Sequence, residues 1–238
     1  MQSLGNPFHI HLLGDHAILI KLSKGLNGGI DRDLLTLAAF IKEQKIQGVK
    51  DIILAYDNLT LVYDILDFDS NPYLYVNQLV ANFIAEASNH NAPNSASRLI
   101  EVPVCYDPSL GIDLEAAAKI ANCNIEALIQ EHTAHIYTVY CLGFLPGFAY
   151  MGDVPKKIQL PRHPQPRATV VAGSVGIAGK QTGIYPTDSP GGWQIIGRTP
   201  IKIFDTIKLS LFKAGDQVKF NPIDLALFHE LNNQEDVH

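Results

Sequence analysis

The sequence has few cysteines, three in 238 residues, and they form no recognisable pattern. Cys105, Cys123 and Cys141 are odd in number and widely spaced, which matches neither a CxxC redox motif nor a zinc-binding pattern. We therefore expect three reduced thiols. Cys141 lies beside a glycine-rich loop, where it is either a nucleophile or a small buried hydrophobic residue, and packing is the commoner role of such a cysteine.

A long hydrophobic run is also missing. The longest apolar stretches, such as residues 34–41, are far shorter than the roughly 20 residues of a membrane-spanning helix. Residues 1–7 lack the basic and apolar regions of an export signal. With 47% hydrophobic residues the chain can bury a substantial core. The sequence therefore predicts a globular cytoplasmic protein, of one large or two small domains, with no membrane partner.

Positive charge is scarce and scattered along the chain. Lys and Arg number 18 against 24 Asp and Glu, which gives a net charge of −6. A nucleic-acid-binding surface needs clustered cations to neutralise phosphates. We therefore expect no nucleic-acid partner.

The N-terminal part of the chain alternates strand and helix patterns in the order ββαββα. The strand runs are rich in β-branched residues, and the helical stretches carry apolar residues three and four apart. Asp57-Asn58 is the predicted turn between the third and fourth strands. The predicted strands are Phe8–Leu13, His16–Leu22, Val49–Ala55 and Leu59–Ile65, and the two helices carry Ile30, Leu34, Leu37, Ala38 and Ile41, then Val76, Leu79, Val80, Phe83 and Ile84.

A polar, proline-containing stretch separates this pattern from the rest of the chain. Its composition is that of a linker. We predict domains at residues 1–90 and 99–238, joined by a linker at 91–98.

The second predicted domain begins with a strand at Leu99–Val104. Two helices follow, Asp113–Ala121 and Asn124–Thr133, each with its first residue as a capping side chain. From residue 136 to 220, short β-rich runs are broken by glycine and proline every eight to twelve residues. This pattern predicts a small barrel or sandwich.

The densest motif is a loop rich in glycine and aromatic residues at 140–152. Three glycines and a proline give it positions that only glycine adopts easily, and its aromatic side chains flank backbone that another molecule could approach. The loop is either a turn with a packed aromatic core or a contact surface. Its candidate interface residues are Phe144, Pro146, Gly147 and Phe148.

A second motif, PRHPQPR at residues 161–167, presents two arginines on a stiff segment. Three prolines hold the backbone extended, so little conformational entropy is lost when Arg162 or Arg167 binds a partner. A guanidinium group matches a carboxylate or phosphate because its donors form a planar fork. The arginines bind either such a ligand or acidic residues of this same fold.

A third motif, at residues 172–193, combines six glycines with neutral hydrogen-bonding side chains. The spacing is not that of a phosphate-binding P-loop. Its polar groups suit an amide or a carboxylate ligand, while its single tryptophan is either core or part of a pocket. The candidate residues are Gln181, Thr182, Tyr185, Gly191, Gly192 and Trp193.

Two pairs of histidines have spacings that place both rings on one face. These are His132 with His135 at a helix end and His9 with His11 on a strand. No third ligand is evident beside either pair, so no metal site is predicted. His132 is interpreted as a pocket or helix-terminal histidine.

Four sequence blocks together resemble the family of 5-oxoprolinase B subunits, also called allophanate hydrolase subunit 1 or kinase-inhibitor-like proteins. The blocks are GFLPGFAYMGD, PRHPQPR, AGSVGIAGKQTGIYP and SPGGWQIIGRTP. The resemblance runs from about residue 8 to 222 and departs at Ile112 and Val171, where the family commonly has proline.

The resemblance implies an α+β fold, with an N-terminal ferredoxin-like α/β domain and a C-terminal cyclophilin-like β-barrel. It implies the B subunit of a complex in which a large C subunit and an A subunit complete the ATP-dependent opening of 5-oxo-L-proline to L-glutamate. The chain would be inactive alone, with ATP required at the level of the complex. No Met-Lys-Met-type biotinylation site occurs, so no biotin is expected on this chain.

In that interpretation Arg162 or Arg167 anchors the substrate carboxylate, and Gln181, Thr182 and Tyr185 contact the ring amide. Three other functions stay open. One is a regulatory protein that inhibits a sensor histidine kinase, and another is the same kind of enzyme component working on a related amide such as allophanate or a urea-derived substrate. The least favoured is a prolyl isomerase, because it rests on the implied barrel alone.

Overall fold

The computed structural model describes residues 8–23, 32–68, 70–87 and 97–235. The chain divides into two compact units, residues 1–96 and 97–238. Residues 91–96 of the predicted linker lie outside the described residues, so its bounds stay a prediction. No helix in the described part is long and apolar enough to cross a membrane.

The first unit contains a four-stranded antiparallel sheet and two helices. Its elements are β1 (Phe8–Leu12), β2 (Ala17–Leu22), α1 (Arg32–Glu43), β3 (Val49–Ala55), β4 (Asn58–Tyr63) and α2 (Pro72–Ala87), with a short 3-10 helix at Ile65–Asp67. The strand order is β1-β2-β4-β3. The predicted order ββαββα is therefore confirmed.

The core of this unit lies between one face of the sheet and both helices. Ile20 pairs with Leu59, Ile18 pairs with Leu61, and all four side chains are fully buried. They lie on the same side of the sheet because residues two apart in a strand share a face. The helices add residues at the spacing that the sequence predicted. These are Leu34, Leu37 and Ile41 from α1 and Val76, Leu79, Val80 and Phe83 from α2.

The hairpin between β3 and β4 turns one residue earlier than predicted. Ala55 pairs with Asn58, so the turn residues are Tyr56 and Asp57, and Tyr56 has a positive φ of 47°. The carbonyl of Asp57 accepts from the Leu22 N–H at 2.9 Å, which ties the turn to β2. This long-range bond is not visible in a local turn pattern.

The second unit is built around a closed barrel. Its elements are β5 (Leu99–Cys105), α3 (Leu114–Ile120), α4 (Ile125–Ala134), β6 (Ile136–Leu142), β7 (Ala149–Gly152), β8 (Arg167–Val170), β9 (Ser174–Ala178), β10 (Gln181–Ile184), β11 (Ser189–Gly191), β12 (Gln194–Arg198), β13 (Phe204–Asp205), β14 (Leu209–Ser210), β15 (Gln217–Ile223) and α5 (Leu225–Glu235), with a 3-10 helix at Lys156–Ile158. The barrel order is β10-β7-β6-β15-β5-β12-β9. The α+β fold class with a C-terminal barrel is confirmed.

The first barrel strand in the sequence, β5, pairs with the last, β15. β5 and β15 pair in parallel, from Leu99 opposite Gln217 to Cys105 opposite Ile223, whereas the other neighbouring barrel strands are antiparallel. The interior is filled by apolar side chains from all seven strands and from α3 and α4. All three cysteines are thiols, as expected, and the side chains of Cys105 and Cys141 are buried.

The C-terminal helix α5 was not predicted. The side chain of Asp224 accepts from the Leu227 N–H at 2.8 Å and caps the helix. Phe228 is buried beside the Arg198 guanidinium, 6.0 Å from the ring centroid. A capping residue followed by apolar residues at helical spacing was the available signal.

Candidate functional site

The segment 161–167 lies over the start of β12 and the end of β11. Two hydrogen bonds hold it there, from the His163 N–H to the Gly192 carbonyl at 2.7 Å and from Gln194 Nε2 to the Pro161 carbonyl at 3.0 Å. Its prolines keep the backbone extended between these bonds. The second and third sequence motifs therefore form one surface.

Asp113 is the charged centre beneath this segment. The residue is 5% exposed, and its carboxylate accepts from Arg167 Nη2 through one oxygen and from the Ile195 N–H, at 2.7 Å, through the other. The second oxygen also lies 3.3 Å from His163 Nε2. The Asp113 N–H in turn donates to the Ile195 carbonyl at 2.9 Å.

The prediction that the Asp113 side chain caps a helix is wrong. The residue does precede α3, but its carboxylate makes no capping hydrogen bond. A charge-assisted bond to a guanidinium group is stronger than a bond to a neutral helix N–H, and here the carboxylate is oriented towards Arg167 and β12 instead. Asn124 does cap α4, since its side chain accepts from the Ala127 N–H at 2.7 Å.

The two predicted arginines have different environments. Arg167 forms an ion pair with Asp113, so it binds an acidic residue of this same fold, which was one of the two alternatives. Its Nη1 atom is nevertheless buried without a hydrogen-bond partner among the described residues. Arg162 is exposed and has no ion-pair partner within the described part of the chain. Of the two, Arg162 is the arginine whose whole guanidinium group is available.

Both arginines lie near the phenol of Tyr185. Burial raises the pKa of Tyr185, while the Trp193 N–H and the charges of Arg162 and Arg167 act against that rise. Burial likewise raises the pKa of Tyr150, and the charge of Arg162 opposes it. The arginines thus place positive charge beside two phenols.

An aromatic cluster packs next to these charges. Phe148 is its centre, with ring centroids 4.9 Å from Tyr150, 5.3 Å from Tyr185 and 5.3 Å from Trp193. Phe148, Tyr185 and Trp193 are buried, whereas Tyr150 is half-buried. Trp193 is therefore a core residue of this cluster, one of the two alternatives left open by the sequence.

The loop between β6 and β7 extends the cluster to the surface. Phe144 is 61% exposed, adopts a positive φ of 71° and contacts the Phe148 ring edge-on at 5.8 Å. A positive φ is unfavourable for an aromatic residue. Pro146 is exposed beside it, and Gly147, at φ 84°, packs against Phe204. The loop thus has a packed inner side and an apolar outer side.

His132 and Thr182 lie away from this surface, inside the barrel unit. Both are fully buried, and His132 Nε2 lies 2.9 Å from Thr182 Oγ1 while its Nδ1 lies 2.8 Å from the Tyr106 hydroxyl. Because Thr182 donates its hydroxyl proton to the Gly176 carbonyl at 3.0 Å, His132 Nε2 must be the donor to Thr182. Neither residue offers a free polar atom to a ligand.

Gln181 faces the other side of β10. Its backbone pairs with Gly152 and Ala178, and its side chain is half-buried. Because successive strand residues face opposite sides, Gln181 and Thr182 cannot contact the same ligand from the barrel interior. Of the polar residues predicted in the third motif, the structure brings only Tyr185 beside the two arginines.

Four buried polar side-chain atoms lack a hydrogen-bond partner in the described part of the chain, and all belong to residues 163–194. They are Arg167 Nη1, Ser189 Oγ, Gln194 Oε1 and His163 Nε2, the last of which makes no hydrogen bond but lies within ion-pair distance, 3.3 Å, of the Asp113 carboxylate. Buried polar atoms are normally paired, so an unpaired group calls for an explanation such as a ligand or water. We define the candidate site as Asp113, the segment 161–167, β11, the start of β12 and the aromatic cluster.

Sequence reasoning missed Asp113, His163 and Gln194. Asp113 was interpreted as a helix cap, and His163 was passed over between two arginines. Their roles depend on partners distant in sequence, such as Arg167 and Ile195 for Asp113. The only available signal was the histidine in the PRHPQPR motif.

The described residues offer weaker candidates for a functional site elsewhere. A groove of about 1310 Å³ lies between the β13–β14 region and α5, and two of its three lining cations, Arg98 and Lys202, pair with Asp216 and Asp205. Among the described residues, no group of three or more His, Cys, Asp or Glu side chains could hold a metal ion. The candidate site is favoured because it contains unpaired polar atoms.

Comparison with known proteins shows the family to which the chain belongs. The model of the carboxyltransferase domain, subdomain C and D, matches residues 8–211. The B subunit of 5-oxoprolinase from Bacillus subtilis is 39% identical over 231 residues, covering 93% of this chain and 95% of that protein. The B subunit of 5-oxoprolinase from Haemophilus influenzae is 42% identical over 187 residues, covering 77% of this chain and 84% of that protein.

A solved structure agrees with the fold. The crystal structure of TTHA0988 superposes with a TM-score of 0.71 at 31% identity and covers 87% of this chain. The match covers 40% of the TTHA0988 chain, so the present chain spans less than half of that protein.

Proposed function

The chain belongs to the family of carboxyltransferase domains, subdomains C and D, and we propose that it is the B subunit of an ATP-dependent 5-oxoprolinase, a hydrolase complex that opens 5-oxo-L-proline to L-glutamate. The observation that carries this proposal is the near full-length similarity to the B subunit of a known 5-oxoprolinase. The charge and the aromatic surface of the candidate site are consistent with it.

The substrate's chemistry fits the site in two respects. 5-Oxo-L-proline is a small monoanion with one carboxylate, and the site combines Arg162 and Arg167 with a single buried carboxylate, Asp113. Its flat lactam ring can pack on an aromatic surface, which Tyr150 and Phe144 extend to solvent. A carboxylate anchor and an apolar wall would hold the ring in one orientation.

The reaction explains why ATP is needed. An unactivated lactam opens slowly in water, and transfer of the ATP γ-phosphoryl group to the lactam oxygen makes the ring carbon more electrophilic. Water then adds to that carbon, and the C–N bond breaks with a proton passing to nitrogen, which leaves an acyl phosphate of glutamate. A second water hydrolyses this acyl phosphate and releases glutamate and phosphate. In this proposal the present chain binds and orients the substrate, and ATP is required at the level of the complex.

Partner subunits complete the enzyme. The proposed partners are the large C subunit and the A subunit of the complex, with this chain inactive alone. The exposed Phe144 and Pro146 supply an apolar contact surface, and an exposed aromatic residue at an unfavourable backbone angle is easier to explain if it contacts a partner.

The test is glutamate release from 5-oxo-L-proline with ATP. The chain would be assayed alone, with each candidate partner, and with both. We expect release only from the full mixture. If the complex forms, as judged by gel filtration, and no glutamate appears, the proposal fails. The same complex would then be assayed with allophanate, and the chain alone with a sensor histidine kinase.

A further inference from the structure

The fork of Arg167 is only half used within the fold. Nη2 binds Asp113, but Nη1 is buried without an acceptor. A buried donor without an acceptor in the protein is unfavourable unless an oxygen atom of a ligand or a water binds there. Arg162, by contrast, is exposed and solvated, so it loses less by staying unpaired.

Asp113 holds Arg167 in a fixed orientation. The carboxylate is bonded to the Ile195 N–H at 2.7 Å, and the Asp113 N–H is bonded to the Ile195 carbonyl at 2.9 Å. The acid is thereby attached to β12, a strand of the barrel wall. A guanidinium group bound to such an acid keeps its second terminal nitrogen in one place.

The charges and hydrogen-bonding groups of the site indicate the charge and the polar groups of its ligand. Two arginines and one aspartate leave a charge of +1 when His163 is neutral, which is balanced by one monoanion. Gln194 is 3% exposed, its Nε2 binds the Pro161 carbonyl, and its Oε1 lacks a donor. A monoanion that also carries an amide N–H would supply an oxygen acceptor for Arg167 Nη1 and a donor for Gln194 Oε1.

We infer that Asp113 is a positioning residue, and that Arg167 rather than Arg162 binds the ligand carboxylate through Nη1. This inference rests on the proposed function, since it assigns the carboxylate anchor for 5-oxo-L-proline. Nη1 is covered in this structure, so the ligand reaches it when the segment 161–167 shifts. That segment is fastened to the site by the bonds to Gly192 and Pro161 described above.

The test compares two ligands that differ only in the carboxylate, 5-oxo-L-proline and 2-pyrrolidone. Each would be titrated by calorimetry into the complex with wild-type partner subunits. We expect the wild type to prefer 5-oxo-L-proline by about 10- to 100-fold, as for a charge-assisted hydrogen bond. Asp113→Asn and Arg167→Lys should each lose most of that preference while leaving 2-pyrrolidone affinity unchanged.

The matched control is the other arginine–aspartate pair of the same unit. Asp216, 7% exposed, binds Arg98 outside the candidate site. Asp216→Asn should leave the ligand preference unchanged, even if it lowers the melting temperature. Thermal unfolding of every variant would show that it is folded.

Three results would overturn the inference. Equal weakening of both ligands would make Asp113 and Arg167 structural residues. An unchanged preference in both variants would mean that Nη1 binds water. Loss of preference in Arg162→Ala alone would make Arg162 the anchor. Failure of the proposed function is separate, because it is seen in the wild type as the absence of glutamate release despite formation of the complex.

Discussion

At the scale of single residues, the clearest feature is the chain of hydrogen bonds through His132. The ring is stacked on Phe220 at 4.7 Å and is bonded at both nitrogens, to Tyr106 and to Thr182. A buried polar network is favourable only when every member is paired. His132 and Thr182 therefore contribute to the structure of the barrel unit. Their mutual hydrogen bond explains why both side chains, predicted to contact a ligand, are buried in the interior of this unit instead.

Thr182→Val should destabilise the barrel unit by about 1–3 kcal/mol, since a buried His132 N–H loses its acceptor and the Gly176 carbonyl loses a donor. Urea unfolding followed by Trp193 fluorescence would measure the change. Thr182→Ser keeps the hydroxyl and is the control. A valine variant as stable as the wild type would mean that the network contributes nothing to stability.

His132 also makes stability dependent on pH. Burial, with a smaller contribution from His135, lowers the pKa of His132 from its usual value of 6.5 to about 3. Because the unfolded chain takes up the proton first, the stabilising effect is complete above pH 6.5 and is lost as the pH falls towards 3. At pH 5 we expect a loss of about 2 kcal/mol relative to neutral pH.

Two measurements check this pH dependence. Unfolding at pH 7.5 and pH 5 should show the loss in the wild type and equally in His135→Gln, because His135 is exposed. NMR titration of the His132 ring should show it neutral in the folded protein at pH 5. A ring that titrates near pH 6.5 would contradict the assignment.

At the scale of elements, β10 separates two environments. Thr182 and Ile184 face the barrel core, while Gly183 faces the aromatic cluster. A methyl group at Gly183 would lie 3.2 Å from the rings of Phe148 and Trp193 and 2.8 Å from the Ala149 carbonyl oxygen. The glycine is thus required by the close packing of the aromatic residues on this strand.

Gly183→Ala should cost about 1–3 kcal/mol of stability and should change the emission of Trp193, the only tryptophan. Gly143→Ala is the matched control, because a methyl group there would meet nothing within 4 Å. Equal stability of the two variants in thermal unfolding would show that the cluster tolerates the extra group.

The elements also show what the sequence could predict. Asn124 was predicted correctly as a cap because its partner, the Ala127 N–H, is three residues away. Asp113 was not, because its partners Arg167 and Ile195 are distant in sequence and are brought close only by the folded barrel. Local patterns predict strands, helices and caps, whereas the candidate site depends on long-range charge pairing.

At the scale of the whole molecule, each of the two units has its own buried core. Periodicity predicted the order ββαββα and left a barrel or a sandwich open for the second unit, while the family resemblance implied the α+β class and the barrel, and the strand pairing shows a closed barrel. The fragment 97–238 should therefore fold alone.

That fragment should unfold cooperatively on heating, with Trp193 emission reporting the transition. The reason is that its core cluster contains residues of this unit only. Circular dichroism would measure the same transition independently. A fragment without a cooperative transition would show that residues 1–96 are needed for the barrel to fold.

The parallel pairing of β5 with β15 has a consequence for biosynthesis. Leu99 meets Gln217 at the start of this ladder, so the barrel cannot close until residues 217–223 have left the ribosome. Until then β5 and β6 each lack a neighbour and present open edges. A nascent chain stalled before residue 217 would thus expose two unpaired strand edges, and a stop codon before residue 217 would remove the strand that closes the barrel.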